Sequence, residues 1–232
     1  MRRFFGQKIN DEYIKIEENE FFHIKKVLRM NENDDLICYT NDEFEYNCTI
    51  EKINKNDCLC KINEKCKCLG LPKNNITLFQ MMPKKEYIDE IIPKSIELGV
   101  SDIYFFSSEY TLNKSLKKER VETQIMTACK QCERSKLLQF HDIIKFDKMI
   151  ELLKNYDLVI FAYEDENNIF KPEILKNKKN IAIIVGNEAG FSPKEAEIIS
   201  KNATSVSLGK RILRCDTAVC ALLSLVSVLT NN

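Results

Sequence analysis

The sequence lacks a hydrophobic run long enough to cross a bilayer. The longest one, Ala218–Leu229, is interrupted by Ser224 and Ser227 and falls short of the roughly 20 apolar residues that a transmembrane helix needs. Basic residues open the chain, but no apolar stretch of signal-peptide length follows them. We therefore expect a globular protein of the cytoplasm.

An excess of charge of either sign is also absent, because Lys and Arg together number 35 and Asp and Glu also number 35. This balance excludes attraction of the whole molecule to nucleic acid, so RNA binding has to come from local patches. The fingerprints G-x-G-x-x-G and G-x-x-x-x-G-K-[ST] are missing as well, which disfavours a nucleotide-binding oxidoreductase.

Cysteine, by contrast, is plentiful, with ten residues in the chain. Because the chain has no signal peptide and is longer than disulfide-rich secreted domains, we expect reduced thiols. The C-x-C…C-x-C pattern over residues 58–68 could bind zinc, but alternation along a strand pair explains it equally well and its spacing is tighter than that of zinc sites. Cys129-x-x-Cys132 is expected to pack within a helix rather than to act as a redox pair. We expect no metal.

The first 70 residues contain short alternating segments, which predict antiparallel strands. These segments are Tyr13–Glu17, Asp35–Thr40, Phe44–Ile53 and Asp57–Asn63. One helix, Asn19–Met30, is expected among them. The pattern predicts a small β-barrel domain over residues 1–70, and Leu69–Asn74 is expected to be a linker.

From Ile76 onward, strands alternate with helices, which predicts an α/β domain over residues 74–232 with a largely parallel sheet covered on both faces. The predicted strands are Ile76–Met82, Asp102–Phe106, Asp157–Tyr163, Asn180–Val185 and Ser205–Leu208. The predicted helices are Lys84–Leu98, Lys117–Lys136, Asp147–Asn155, Pro193–Asn202 and Asp216–Leu229.

Two loops of this second domain combine glycine with charge. The strand Asn180–Val185 leads into Gly186–Phe191, and a capping box of Ser192 and Glu195 with Pro193 between them starts the next helix. Such a turn lies at the carboxyl edge of a sheet, where open α/β folds bind ligands. A simple glycine turn before a capped helix explains the same residues, and both interpretations stay open.

The second loop lies within Ser205–Leu225, where Gly209 is followed by three cations and a long apolar helix. The cations are Lys210, Arg211 and Arg214. An arginine here could face a carboxylate or a developing oxyanion. Asp216 or Thr217 could instead simply cap the helix that follows.

Five motifs, in this order along the chain, carry a resemblance to a known family. They are His23-x-x-x-Val27-Leu28-Arg29, Lys94-x-x-Glu97-Leu98-Gly99-Val100, Gln131-x-x-Arg134, Gly186-x-Glu188-x-Gly190-Phe191-Ser192 and Leu208-Gly209-x-Arg211-Ile212-Leu213-Arg214-x-x-Thr217-Ala218. Together they cover nearly the whole chain. In this combination the sequence resembles the RsmE family of 16S rRNA uracil-N3-methyltransferases.

The resemblance implies an N-terminal PUA-like β-barrel that binds RNA and a C-terminal SPOUT methyltransferase domain with a trefoil knot. It also implies a homodimer that methylates one uridine in the decoding region of the assembled small ribosomal subunit, with S-adenosylmethionine as methyl donor. The implied cofactor-binding residues are Ala162, Glu164, Gly186, Glu188, Gly190, Leu208, Gly209, Ile212, Leu213, Arg214 and Thr217. The family usually has proline at Asn187, glycine at Ala189 and glutamate at Asp216.

Loss of the N3 proton spreads negative charge over O2 and O4 of uracil, so an arginine near the base would stabilise the anion. Arg214 and Arg134 are the candidates. Glu188 is a candidate general base, but it could equally serve to orient its loop. The candidate RNA-binding residues are Arg2, Arg3, His23, Lys25, Lys26, Arg29, Lys94, Lys114, Lys117, Arg120 and Arg134. The alternative is an rRNA-binding or assembly protein of the same fold that has weak or lost catalysis through its three departures from the family pattern.

Overall fold

The computed structural model describes residues 1–111 and 115–231. The chain forms two compact units. The first comprises Met1–Leu71 with Cys129–Leu137, and the second comprises Pro72–Ala128 with Leu138–Asn232. The division falls within the predicted linker, but it differs from the predicted ranges for Cys129–Leu137, which were expected in the second domain. The domain ranges themselves remain a prediction.

Hydrogen bonds explain why the segment Cys129–Leu137 belongs to the first unit. Ser135 Oγ donates to the main-chain oxygen of Asp42 at 2.7 Å, and the Leu137 amide donates to Asn41 Oδ1 at 2.9 Å. These contacts join residues more than 90 positions apart in the chain, so sequence periodicity gives no sign of them.

The first unit is built on one six-stranded sheet. Its strands are β1 (Arg3–Phe5), β2 (Gln7–Lys8), β3 (Tyr13–Glu17), β4 (Asp35–Tyr39), β5 (Phe44–Ile53) and β6 (Asp57–Lys67). They lie in the order β1-β4-β5-β6-β3-β2, and every pair except β1 with β4 is antiparallel. The predicted antiparallel strands are confirmed, and β1 and β2 are additions.

Gly6 brings the two edges of this sheet together, because it is the one residue between the edge strands β1 and β2. A Cβ at Gly6 would lie 2.7 Å from Ile14 Cγ2 and 2.8 Å from the Lys15 carbonyl oxygen. Only glycine permits this close approach. The sheet therefore curls into the predicted barrel-like form.

The predicted helix Asn19–Met30 is found in two parts. The helix α1 (Glu18–Phe22) passes into a π-helical turn, His23–Val27. The helical segment ends three residues before its predicted end, because Arg29 has a left-handed backbone with φ of +52°. Its buried residues join the barrel core.

The second unit is built on a wholly parallel sheet. Its strands are β7 (Asn75–Met81), β8 (Val100–Ser107), β9 (Gln139–Phe140), β10 (Ile144–Lys145), β11 (Leu158–Ala162), β12 (Asn180–Val185) and β13 (Thr204–Val206). The main path runs β10-β8-β7-β12-β11-β13, with β9 also paired to β8. The predicted α/β class and parallel sheet are confirmed, whereas β9 and β10 are strands that the sequence did not reveal.

The remaining helices complete the fold. They are α2 (Lys85–Glu97), α3 (Lys118–Gln131), α4 (Phe146–Leu153), α5 (Pro193–Ser200) and α6 (Cys215–Asn231), with a short 3₁₀ helix at Pro172–Leu175. Side chains of α4 and α5 pack on one set of strand residues in an aromatic-rich core. The helices α2 and α6 contact each other, and they also contact β8 and β12, respectively. The trefoil knot remains a prediction.

The third helix was predicted too long. The range Lys117–Lys136 was expected, but α3 ends at Gln131 because Glu133 has a φ of +62° and the Arg134 amide donates back to the Cys129 carbonyl at 2.9 Å. A left-handed residue, followed by an amide that donates to the carbonyl five residues earlier, is a usual way for a helix to end. In the described part of the chain, no helix is long and apolar enough to span a membrane.

Candidate functional site

A cavity of about 440 Å³ lies in the second unit at the carboxyl ends of neighbouring strands. Three segments line it: residues 162–164 at the end of β11, residues 185–190 at the end of β12, and residues 207–209 and 211–215 between β13 and the start of α6. Tyr87 of α2 and Ala218 of α6 complete the wall. Parallel strands place their carboxyl ends at one edge of the sheet, which is where α/β folds bind ligands. The volume lies in the range of roughly 300–1,000 Å³ found for small-molecule sites.

Asn187 holds the first glycine loop in shape. Its side-chain oxygen accepts from the Ala189 amide at 2.9 Å, and its Nδ2 donates to the carbonyls of Met82 and Tyr110, each at 3.3 Å. The main-chain oxygen of Asn187 also accepts from the Gly190 amide at 3.2 Å. The asparagine that replaces the family's proline therefore fixes this turn by hydrogen bonds.

Gly190 is required in this loop on two counts. Its φ of +68° is a left-handed conformation, and a Cβ there would come within 2.7 Å of Glu164 Oε1. Ala189 has an ordinary backbone outside the positive-φ region. The alanine found where the family has glycine thus causes no backbone strain.

The second loop turns at Gly209, which has a φ of +116° and, apart from its two chain neighbours, no described residue within 4 Å of a Cβ position. Glycine is needed here for conformation and not for space. Ser207 Oγ lies 3.3 Å from both the amide and the carbonyl oxygen of Gly209, which fixes the start of the turn.

Unpaired cations lie at this second loop. Arg211 and Arg214 line the cavity, and both side chains are exposed, as is that of Lys210. Among the residues that the structure describes, none makes a hydrogen bond or ion pair with these three side chains. Guanidinium groups without a carboxylate partner are available to an anionic ligand.

Glu188 at the cavity rim interacts with two other residues. Its Oε1 accepts a hydrogen bond from the amide of Lys84, the residue that caps α2, at 2.9 Å. Burial, together with the charge of Glu188, raises the pKa of the Cys215 thiol to about 12. The Cys215 side chain is therefore a neutral thiol in this part of the wall.

All the predicted cofactor residues except one line this cavity. Thr217 is the exception, because it lies exposed on the first turn of α6 and does not line the cavity. The capping box of Ser192 and Glu195 that was expected beside the loop is present. The residues that the sequence did not assign to the site are Tyr87, Tyr163, Val185, Asn187, Ala189, Ser207, Arg211, Cys215 and Ala218. Arg211 and Asn187 were noted in the sequence for charge and for departure from the family.

Arg134 does not belong to the cavity lining. It lies in the first unit, only 3% of its surface is exposed, and its Nε donates to the Lys136 carbonyl at 2.8 Å. A buried guanidinium that donates to a nearby main-chain oxygen supports local structure, so the expected catalytic and RNA-binding roles of Arg134 are not supported by its position.

Several predicted RNA-binding side chains are already paired. Arg3 forms an ion pair with Glu133 at 2.9 Å, and Lys94 lies 3.0 Å from Glu90 and 3.5 Å from Asp216. The hydrogen bond to Glu90 raises the pKa of Lys94. Lys94 thus reaches from α2 to Asp216 at the start of α6, and its RNA-binding role stays a prediction.

The other predicted RNA-binding residues differ in their availability. Arg120 pairs with Asp89, Lys25 donates to the Asn54 carbonyl, and His23 packs edge-on against Phe4. Lys114 lies outside the described residues. Of the predicted RNA-binding residues, four are exposed and have no side-chain partner among the described residues: Arg2, Lys26, Arg29 and Lys117. In the same described part, no group of three or more His, Cys, Asp or Glu side chains is arranged to hold a metal.

Comparison with known protein families adds to this geometry. A model described as "RNA methyltransferase domain" matches residues 71–227, and one described as "RNA methyltransferase PUA domain" matches residues 16–63. The chain belongs to the RNA methyltransferase family. The first match contains every loop of the cavity, and the second covers most of the curled sheet.

Individual relatives agree along the full length. The chain is 31% identical to Ribosomal RNA small subunit methyltransferase E of Mesomycoplasma hyopneumoniae, over 97% of this chain and 98% of the relative. It is 27% identical to the protein of the same name from Bacillus subtilis, over 91% and 88%. A crystal structure of Ribosomal RNA small subunit methyltransferase E from Neisseria gonorrhoeae bound to S-adenosyl methionine shares the fold, with a TM-score of 0.90, 23% identity, and coverage of 99% and 98%.

Proposed function

We propose that this protein transfers a methyl group from S-adenosylmethionine to N3 of a uridine in the 16S rRNA of the small ribosomal subunit. The observation that carries the proposal is the three-loop cavity, whose rim holds two arginines with no side-chain partner in the described part of the chain. The relatives' names support ribosomal RNA of the small subunit as substrate. The family resemblance supports the N3 position, the decoding region and the assembled subunit.

The residues of the cavity suit a molecule that is part apolar and part charged. Leu208, Ile212 and Leu213 offer apolar walls, and the glycines at positions 186, 190 and 209 let main-chain atoms approach a ligand closely. Glu164 supplies a carboxylate for the cationic end of such a ligand. These residues would hold S-adenosylmethionine, which supplies an electrophilic methyl group when bound.

The arginines of the second loop would act on the acceptor base. Uracil N3 carries a proton that must leave, and the negative charge that remains spreads over O2 and O4. A guanidinium from Arg214, with Arg211 beside it in sequence, would stabilise that charge and lower the pKa of the N3–H group, so that the proton can pass to solvent. The rigid loop pair supplies the orientation that methyl transfer requires.

We assign Glu188 a positioning role rather than that of a general base. Its carboxylate accepts the Lys84 amide at the start of α2, and Tyr87 in the first turn of that helix lines the cavity. The bond thus ties the first glycine loop to the opposite wall. Like the glutamate of a capping box, Glu188 accepts the amide of the N-cap residue, although it is far from that helix in the sequence.

A homodimer is also part of the proposal. The apolar side chains of Leu225, Val228 and Leu229 on α6 are exposed, and a second copy would bury them. Light scattering coupled to size exclusion tests this assembly, and a monomer at micromolar concentration would count against it. The proposed substrate implies a cytoplasmic location.

Two measurements test the proposed reaction. Calorimetry with S-adenosylmethionine and with its demethylated product should show binding to the purified chain. Mass spectrometry of small-subunit rRNA, after incubation of unmethylated subunits with protein and cofactor, should show one added methyl group on a uridine. Cofactor binding without any methylated product would refute the enzyme and favour an assembly protein of the same fold.

A further inference from the structure

One face of the helical segment Glu18–Val27 is apolar and exposed. Its inward residues Phe21 and Ile24 are buried in the barrel core. On the outward face, Phe22 and Val27 each expose 59% of their surface. Among the described residues, none gives the Phe22 ring an aromatic or cationic partner. A free aromatic face on a small domain is a feature that a binding function explains.

The backbone of this segment departs from a regular helix. The turn His23–Val27 is π-helical, and the Leu28 amide donates to the His23 carbonyl five residues back at 2.9 Å. Two residues at the ends of this region have a left-handed backbone: Glu18, the first residue of the segment, with a φ of +54°, and Arg29, two residues after it, with a φ of +52°. Short π-helical turns and left-handed non-glycine residues are rare and are found preferentially at functional sites.

Buried contacts hold the segment firmly from inside. The carboxylate of Glu20 accepts the Phe5 amide at 3.0 Å and forms an ion pair with Lys130. Glu20 is itself largely buried. Because this anchor fixes the segment to β1 and to Cys129–Leu137 of the same unit, the outward face presents Phe22 in a defined orientation.

The charges around Phe22 favour an anionic partner. Lys26 lies within the π-helical turn, four residues after Phe22, and Arg29 lies two residues beyond the end of that turn. Both are exposed, and neither has a side-chain partner among the described residues. Lys25 is engaged, because its ammonium lies 5.2 Å from the Phe21 ring centroid and donates to the Asn54 carbonyl. Glu18 is the acidic residue of the segment's exposed start.

We propose that this face binds single-stranded RNA, with one base stacked on the Phe22 ring and the adjoining phosphates contacted by Lys26 and Arg29. Bases in a duplex are stacked on their neighbours, whereas unpaired bases can stack on protein aromatics. An apolar protein partner would leave the two cations without counter-charges. The inference rests on the proposed function in taking RNA as the partner, but it concerns a site in the first unit.

Two substitutions of Phe22 separate stacking from simple apolar contact. Phe22→Trp keeps an aromatic face, and Phe22→Leu keeps an apolar side chain without one. The probe is a fluorescein-labelled single-stranded oligouridylate of roughly 12 nucleotides, within the length that one single-strand module covers. With the full chain and no cofactor, fluorescence anisotropy should show affinity within about twofold of wild type for Phe22→Trp and about tenfold weaker binding for Phe22→Leu.

Control variants and salt sharpen the test. Ile9→Ala removes another exposed apolar side chain of the same unit and should bind the oligouridylate like wild type. The double variant Lys26→Ala, Arg29→Ala should make the plot of log affinity against log salt concentration shallower by about 1.4. Equal binding by wild type and Phe22→Leu, or equal loss in Phe22→Leu and Phe22→Trp, would overturn base stacking. An unchanged salt slope would overturn the phosphate contacts.

Separate readouts distinguish this inference from the proposed reaction. Thermal melting checks that each variant folds, and calorimetry with S-adenosylmethionine should give wild-type affinity for Phe22→Leu because the cavity lies in the other unit. Methylation by wild type together with unaltered RNA binding by Phe22→Leu refutes the stacking site alone. Stacking-dependent RNA binding without any methylation refutes the reaction alone.

Discussion

Replacing Glu188 by glutamine and by alanine decides between the two roles that its carboxylate could have. Glutamine keeps a side-chain oxygen that can accept the Lys84 amide, but it loses the charge and the basicity. Alanine loses all three. A positioning residue therefore tolerates glutamine and not alanine, whereas a general base tolerates neither.

The magnitudes of the two roles are well separated. A hydrogen bond of this kind, 2.9 Å long and at an exposed position, contributes about 1 kcal/mol to folding. Glu188→Ala should lower the free energy of unfolding by that amount and Glu188→Gln by less than half of it. Loss of a general base would lower kcat by about 10²- to 10⁴-fold, whereas Glu188→Gln is expected to stay within about threefold of wild type.

The assay is single-turnover methyl transfer to unmethylated small subunits, run beside urea unfolding and cofactor calorimetry. Glu188→Ala should bind the cofactor more weakly and react more slowly, because the loop loses its tie to α2. Glu195→Gln is the matched control, since Glu195 is also a helix-capping glutamate but lies outside the cavity lining. A hundredfold fall in kcat for Glu188→Gln with normal stability would refute the positioning role and identify Glu188 as a base.

Three further predictions follow from the cavity. Arg214→Ala should abolish methylation and leave the melting temperature within about 1 °C, since an exposed unpaired cation adds little to stability; a large fall in melting temperature would contradict this. Gly190→Ala should prevent cofactor binding in calorimetry, because its Cβ would lie 2.7 Å from Glu164 Oε1 at a φ of +68°. The same substitution should lower the free energy of unfolding by about 1–3 kcal/mol. Normal cofactor binding would show that Glu164 moves aside. The Cys215 pKa of about 12 exceeds the usual thiol value, so its contribution to stability is present below about pH 9 and is lost as pH rises towards 12. The free energy of unfolding of Cys215→Ala should therefore fall less steeply with pH over that interval than that of the wild type. An unchanged dependence on pH would refute this.

Local signals in the sequence were enough to predict most elements of the second unit. The Ser192–Glu195 capping box sets a helix start within four residues, and it is present as expected. The end of α3 was missed because it depends on a left-handed Glu133, a residue type with no particular preference for that conformation. The edge strand β1 was missed because its parallel pairing with β4 joins residues 34 positions apart, as Arg3 with Ile37 shows.

The site shows the same division between local and long-range information. Glycines at positions 190 and 209 could be assigned from sequence because each is needed where the main chain turns. Tyr87 could not, since it reaches the cavity only through the packing of α2. Arg134 looked equivalent to Arg214 as a charged motif residue, but burial commits its guanidinium to the Lys136 carbonyl.

Two of the three departures from the family pattern, Asn187 and Asp216, argue for an active enzyme rather than one that has lost its activity. Proline fixes a turn through its ring, and Asn187 fixes the same turn through hydrogen bonds to Ala189, Met82 and Tyr110. Asp216, shorter than glutamate, still lies 3.5 Å from Lys94. A site drifting without selection would lose its constraints singly and without replacement. Here Asn187 keeps the first glycine loop in shape, and Asp216 keeps a contact with Lys94 of α2, which is expected where the shape of the site still matters.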